Sequence, residues 1–281
     1  MNIYRNEKYS GERCLYNIKN SDLENCDFVD GESPLKETRN LNISNTTFRY
    51  KYPLWYSKNI ICNNVTLYEM ARSGVWYTKN ITFNDSLIIA PKIFRRCNNV
   101  VLNNVEFKNA SETFWECRNI KLNNVTAKGD YFAMNSSNIV INDFILDGNY
   151  AFDGSKHIRV NNANMKSKDS FWNCKDVVVK DSIIEGEYIG WNSKNITFIN
   201  CKITSHQGFC YMKNVKLVNC ELYDTDLCFE FCEDINAEIN NFVVSIKNPI
   251  SGVIHVNSVG ELILDDKLID KNKTKIIIDH E

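Results

Sequence analysis

Asp153, Asp169 and Glu187, with Lys168 beside the second of them, are the residues whose types and spacing best suit chemistry in this chain. Glycoside hydrolysis uses two carboxyl groups, about 5–5.5 Å apart when configuration is retained and about 6.5–9.5 Å apart when it is inverted. Two carboxylates held close repel each other, so one keeps its proton to higher pH and can serve as a general acid. A neighbouring lysine opposes that shift, or acts as the base that an elimination requires. Around these four fall Trp115, Trp172, Trp191, Tyr150, Tyr188, Arg95, Asp130 and His206. Sugar rings pack their apolar faces on aromatic rings and bond their hydroxyls to carboxylates and amides. The expected ligand of such a set is therefore an oligo- or polysaccharide. A plainer expectation stands beside it: the same residues form a solvated charge ladder, with indoles that merely stack on one another.

What could align residues so far apart is a repeat. "CNNVVLNNV" (Cys97 to Val105) returns as "CRNIKLNNV" (Cys117 to Val125), with "SKNIICNNV" (Ser57 to Val65) and "SKNITFINC" (Ser193 to Cys201) as variants. Aligned on their first Asn, twelve units begin at Asn20, Asn40, Asn59, Asn80, Asn99, Asn119, Asn138, His157, Asp176, Asn195, Asn214 and Asp234, spaced by 19, 20 or 21 residues. We call this residue the anchor. Apolar residues stand one, three and eight positions after it, Asn or Asp stands five after, and a large residue, often Phe, stands five before. Apolar residues two apart predict short strands, and Asn or Asp predicts bends. A unit this short cannot bury its apolar side alone, so successive units must stack. The expected fold is all-β, a single-stranded right-handed parallel β-helix of about twelve coils. The chemical candidates lie just before the anchors, on a side where Trp55, Trp76, Arg95, Trp115, Trp172 and Trp191 share one column. Leucine-rich, pentapeptide and hexapeptide repeats fit the columns less well.

The words "GESPLKE" (Gly31 to Glu37), "KYPLWY" (Lys51 to Tyr56), "APKIFRRC" (Ala90 to Cys97), "SKDSFWN" (Ser167 to Asn173) and "GEYIGWNSKN" (Gly186 to Asn195) carry a further signal. Through them the chain resembles, over nearly its whole length, the bacterial pectin-lyase-like β-helix family catalogued as domain of unknown function 3737. The resemblance implies the right-handed β-helix and no catalytic residues. The glycosidase words of that fold, "NTD", "GHG" and "RIK", are missing, which weakens the enzymatic expectation and leaves a non-catalytic scaffold or protein-interaction module as the alternative.

Composition bounds the rest. A net charge of −2 with mixed signs argues against a nucleic-acid or anionic-membrane surface. No segment has the apolar length of a membrane helix, and the N-terminus has no apolar run, so the expected location is the cytoplasm. The 11 cysteines are expected to be reduced. Most share columns with Ser, Thr or Val, so they are read as packing residues, with no metal site and no cofactor. A single domain, 1–281, is expected, with a cap over 1–14, regular coils over 15–245 and an irregular coil and cap over 246–281.

Overall fold

A computed structural model describes residues 2–279. It contains two compact units, Met1–Ile145 and Leu146–Glu281, each built of stacked turns of chain. In the first, Lys79–Ile88 lies between Lys58–Asn63 and Asn98–Phe107, and Asn98–Phe107 pairs onward with Arg118–Lys128. In the second, Lys156–Lys166 pairs with Lys175–Lys180, followed by Lys194–Ile199, Lys213–Tyr223 and Ile235–Lys247. These pairings are parallel and run in step with the anchors until a register shift between Leu217 and Cys220: Ile81 faces Val100, and Val177 faces Ile196. This is a parallel β-helix, and its strands mark about fifteen turns rather than twelve. The additional turns come from the ends. Asn2–Arg5, expected within a cap, pairs with Lys19–Glu24, while Gly252–Ile263 and Thr274–Ile278 continue the ladder beyond Ile235–Lys247. These rungs lack the Asn anchor, so the repeat does not reveal them.

The strands alternate as a half-buried strand must. Arg118–Lys128 reads exposed-exposed-buried-exposed-buried along its first five residues. The columns one, three and eight after the anchor are buried, as is the column five before it, which holds Phe94, Phe114, Phe152, Phe171, Phe209 and Phe229. Phe94 and Phe114 stack at 4.7 Å, and Phe152 and Phe171 at 5.1 Å. Stacked rings add about 0.5–1.5 kcal/mol per pair beyond the area they bury.

The turns are closed by bends with positive φ at four positions that recur along the whole repeat, joined from Phe114 to Phe229 by a fifth, five before the anchor. Two are the Asn/Asp positions, the anchor and the residue five after it. Asn tolerates this left-handed backbone, and its side chain then bonds to its counterpart in the previous turn. Asn59 Nδ2 donates to Asn40 Oδ1 at 2.8 Å, Asn80 to Asn59 at 2.8 Å, and Asn99 to Asn80 at 2.8 Å. The other two bends lie three and seven residues before the anchor. They hold Tyr56, Tyr77 and Arg96, and Tyr52, Lys92, Glu112 and Asp169.

Four cysteines, Cys97, Cys117, Cys174 and Cys232, share a second buried ladder with Ser and Thr, two residues before the anchor. Ser57 Oγ donates to Leu35 O at 3.0 Å, Cys97 Sγ to Val75 O at 2.8 Å, and Cys174 Sγ to Phe152 O at 3.0 Å. The same side chains accept a backbone N–H from the preceding turn: Cys97 N donates to Cys117 Sγ at 3.4 Å and Cys174 N to Ser193 Oγ at 2.8 Å. The column therefore selects a small donor–acceptor, which explains why thiol and hydroxyl alternate. All the cysteines are unpaired, and all but Cys14 are buried. Burial raises the thiols of Cys62 and Cys174 well above their ordinary value and suppresses the reactive thiolate.

Candidate functional site

In the first unit the indoles close on one another. Trp55 and Trp76 stack nearly parallel at 5.3 Å. In the next turns the Arg95 guanidinium sits between Trp76 and Trp115, 4.5 and 4.6 Å from the two ring centroids. Glu112 Oε2 lies 3.5 Å from its Nη2. Each indole N–H is used by the backbone of the following turn: Trp76 Nε1 donates to Lys92 O at 2.9 Å and Trp115 Nε1 to Tyr131 O at 2.8 Å. These bonds satisfy carbonyls at the seven-before bend, so Arg95 and Trp115, two of the expected ligand-binding residues, are parts of a sealed stack. Asp130 lies in the same unit, and its carbonyl accepts from Glu112 N at 2.9 Å.

The second unit places Asp153, Lys168, Asp169, Glu187, Tyr150, Trp172, Tyr188, Trp191 and His206. Asp169 and Glu187 come together. Asp169 N donates to Glu187 O at 2.8 Å. The approach depends on Gly186, where an added Cβ would stand 2.1 Å from Ser167 O. The half-buried Asp169 carboxyl is raised above its ordinary value, first by burial and then by the charge of Glu187, with Lys168 opposing. Its carboxylate makes no hydrogen bond or ion pair. Lys168 Nζ instead bonds Glu187 Oε1 at 2.8 Å, and that partner holds the ammonium above its ordinary value. Lys168 is thus ion-paired in this arrangement, in line with the expectation that it opposes the shift of the neighbouring carboxyl. Asp153 stands apart: Asn173 Nδ2 donates to it at 2.9 Å and Asn192 continues that ladder at 2.8 Å. Tyr150 occupies a bend with φ 61, and its N–H donates to Lys168 O at 2.9 Å.

In this unit the aromatic column opens. Trp172 Nε1 donates to Tyr188 O at 2.7 Å, as its counterparts in the first unit do. Its ring, however, is tilted 35° from Trp191 at 6.1 Å, and Trp191 is tilted 43° from Tyr211 at 4.8 Å. The Trp191 indole N–H has no partner. Tyr188 meets Trp191 edge-on at 6.1 Å and His206 at 5.7 Å.

The site extends past the expected residues. His206 Nδ1 lies 2.7 Å from Asp226 Oδ1, which also accepts from Gln207 N at 3.1 Å. Glu230, buried in the tryptophan column, is held by Lys247 Nζ at 2.9 Å and Gln207 Nε2 at 2.8 Å. A buried carboxylate needs such partners. Gln207, Asp226 and Glu230 stand in columns legible from the repeat, but Lys247 comes from the region where the repeat fades. Among the described residues no three His, Cys, Asp or Glu side chains converge as a metal ion would need.

A family model described as "Protein of unknown function (DUF3737)" matches residues 2–277, and the chain belongs to that family. No curated protein matches its sequence. Among solved structures, the chain is similar to PfbA, a surface adhesin of Streptococcus pneumoniae, with 10% identity, a TM-score of 0.40 and coverage of 99% of this chain and 84% of that one. It is similar to the A-module of the Azotobacter vinelandii mannuronan C-5 epimerase AlgE4, with 11% identity, a TM-score of 0.29 and coverage of 96% and 86%. It is also similar to the catalytic domain of a GH87 α-1,3-glucanase in complex with nigerose, with 8% identity, a TM-score of 0.35 and coverage of 98% and 63%. Likenesses at this level carry no functional argument.

Proposed function

We propose that this DUF3737 protein recognises an oligo- or polysaccharide on the open strip of its second unit, with Asp169 as a proton donor to a glycosidic oxygen. One observation carries the reading: a partnerless, half-buried carboxyl with a raised pKa lies beside a carboxylate in the unit whose indoles are tilted apart, one of them with a free N–H. The rings supply apolar faces, and Trp191 Nε1, His206 and Tyr188 supply polar groups for hydroxyls. Because Lys168 is bound as a cation, acid-assisted hydrolysis fits the geometry better than base-driven elimination. The unpaired thiols support a reducing compartment, the cytoplasm. No helix of the described residues is long and apolar enough to cross a membrane.

A glycan array with the full chain tests the reading. Binding that weakens on Trp191→Ala and Trp172→Ala supports it. An array without hits, together with a co-purifying protein, favours the scaffold reading, which the sealed stack of the first unit also suits.

A further inference from the structure

The residue just before the anchor was not among the candidates. At the first four anchors it is Lys19, Arg39, Lys58 and Lys79, all exposed, before the file gives way to Asn98. The strand register places these cations directly over one another, Lys19 on Arg39, Arg39 on Lys58, and Lys58 on Lys79. Neighbouring strands are about 4.8 Å apart, so four like charges stand in single file where in-register repulsion is unfavourable. Some cations in other columns are matched with a carboxylate in the next turn, as in Arg96–Glu116 at 2.8 Å and Lys168–Glu187 at 2.8 Å. None of Lys19, Arg39, Lys58 and Lys79 has an ion-pair partner. Beside three of them runs a groove of about 540 Å³, lined by Glu37, Arg39, Tyr56, Lys58, Tyr77 and Lys79.

We infer that this groove binds a polyanionic glycan, an extended sugar chain carrying carboxylate or sulfate groups, with its anions on Arg39, Lys58 and Lys79. Three features favour a glycan over a nucleic acid. Tyr56 and Tyr77 stack on each other at 4.7 Å and 8°, so no base can enter between them and their edges are what a ligand meets. The amides of Asn40, Asn59 and Asn80 form the next column and offer hydrogen bonds to hydroxyls. The cations lie in one file, which suits a single chain, whereas a duplex presents a charge every 1.7 Å or so of its axis, spread over two strands. In the second unit Lys156, Lys175, Lys194 and Lys213 repeat the file, but Lys213 is paired with Glu233 at 3.0 Å. The inference uses no residue of the open strip, so the two readings fail independently.

Fluorescence anisotropy of the full chain with a labelled oligouronate, a sulfated glycosaminoglycan oligomer, a neutral glucan and a single-stranded oligonucleotide tests it. The expected result is salt-sensitive binding of one or both acidic glycans and no salt-sensitive binding of the glucan. K58E/K79E should weaken it roughly tenfold or more, the scale of losing two surface ion pairs. K58Q/K79Q should weaken it less and serves if the charge reversal fails to fold; K121Q, which removes an exposed cation outside the file, should leave it unchanged. Equal and equally salt-sensitive binding of glucan, tighter binding of the oligonucleotide, or indifference to both double variants would overturn the inference.

Discussion

The column four residues before the anchor is built twice, with opposite results. In the first unit Trp55, Trp76, Arg95 and Trp115 form a stack whose faces are covered by one another and whose cation lies between rings. In the second, Trp172 and Trp191 are tilted apart, and the column passes on to Cys210 and a buried Glu230. The difference does not lie in the tryptophans, since Trp76, Trp115 and Trp172 each tie down a carbonyl of the next turn. It lies in what occupies the neighbouring turns. An arginine of the right length closes a stack, whereas Tyr188 meets Trp191 edge-on and Tyr211 packs tilted against it, holding it at an angle. The same repeat can therefore spend its indoles on stability or leave them available to a ligand.

The largest expected effects lie beneath both regions and should be equal in them. Phe94→Ala and Phe171→Ala each remove a fully buried, stacked ring, and each should cost about 3–5 kcal/mol in urea unfolding. A large disparity would mean that the units differ in their cores and not only in their aromatic strips. Next comes chemistry, confined to the open strip. Any glycan cleavage by the protein should fall about 10²-fold on Asp169→Asn, while the fold survives because the amide keeps the shape. Cleavage at the wild-type rate would return Asp169 to the charge ladder.

The rings themselves give the sharpest contrast. Trp76→Ala loses a stacked ring, a cation and a carbonyl bond, and should destabilise by about 2–4 kcal/mol. Trp191→Ala should cost less stability and more glycan affinity. The reverse order would abolish the distinction between closed and open strips. A smaller effect concerns pH. The raised carboxyl of Asp169 keeps its proton longer in the folded chain, so its contribution to stability is complete below the ordinary carboxylate pKa. That contribution is lost as pH rises from there through the raised value. Acid titrations of stability should show this downward component in the wild type and not in Asp169→Asn. Smallest is Asn123→Ala, which removes one rung from an amide ladder to Asn103 at 2.8 Å and should cost about 1 kcal/mol.

Much of this was legible before any coordinates. The spacing of the anchors, the apolar columns and the Asn corners followed from residue type, because each column repeats one local preference in every turn. The terminal rungs were not legible, since Asn2–Arg5, Gly252–Ile263 and Thr274–Ile278 pair through the backbone without the anchor residue. Nor were the bends at Tyr52, Lys92 and Glu112, whose side chains do not favour positive φ and which are held there by the turns above and below.

At the candidate site the division is similar. The sequence by itself determined which residues share a column, and so brought Asp169 and Glu187 within reach of each other. Only the tertiary structure decided that Lys168 is bound to Glu187, that Asp153 belongs to an amide ladder, that Arg95 seals one stack and that Lys247 neutralises Glu230. The physical reason is one of scale. Burial and backbone preference act over a whole column and add up turn by turn. Partnership between charges and the tilt between rings turn on shifts of about an ångström between two particular turns, and no column average contains them.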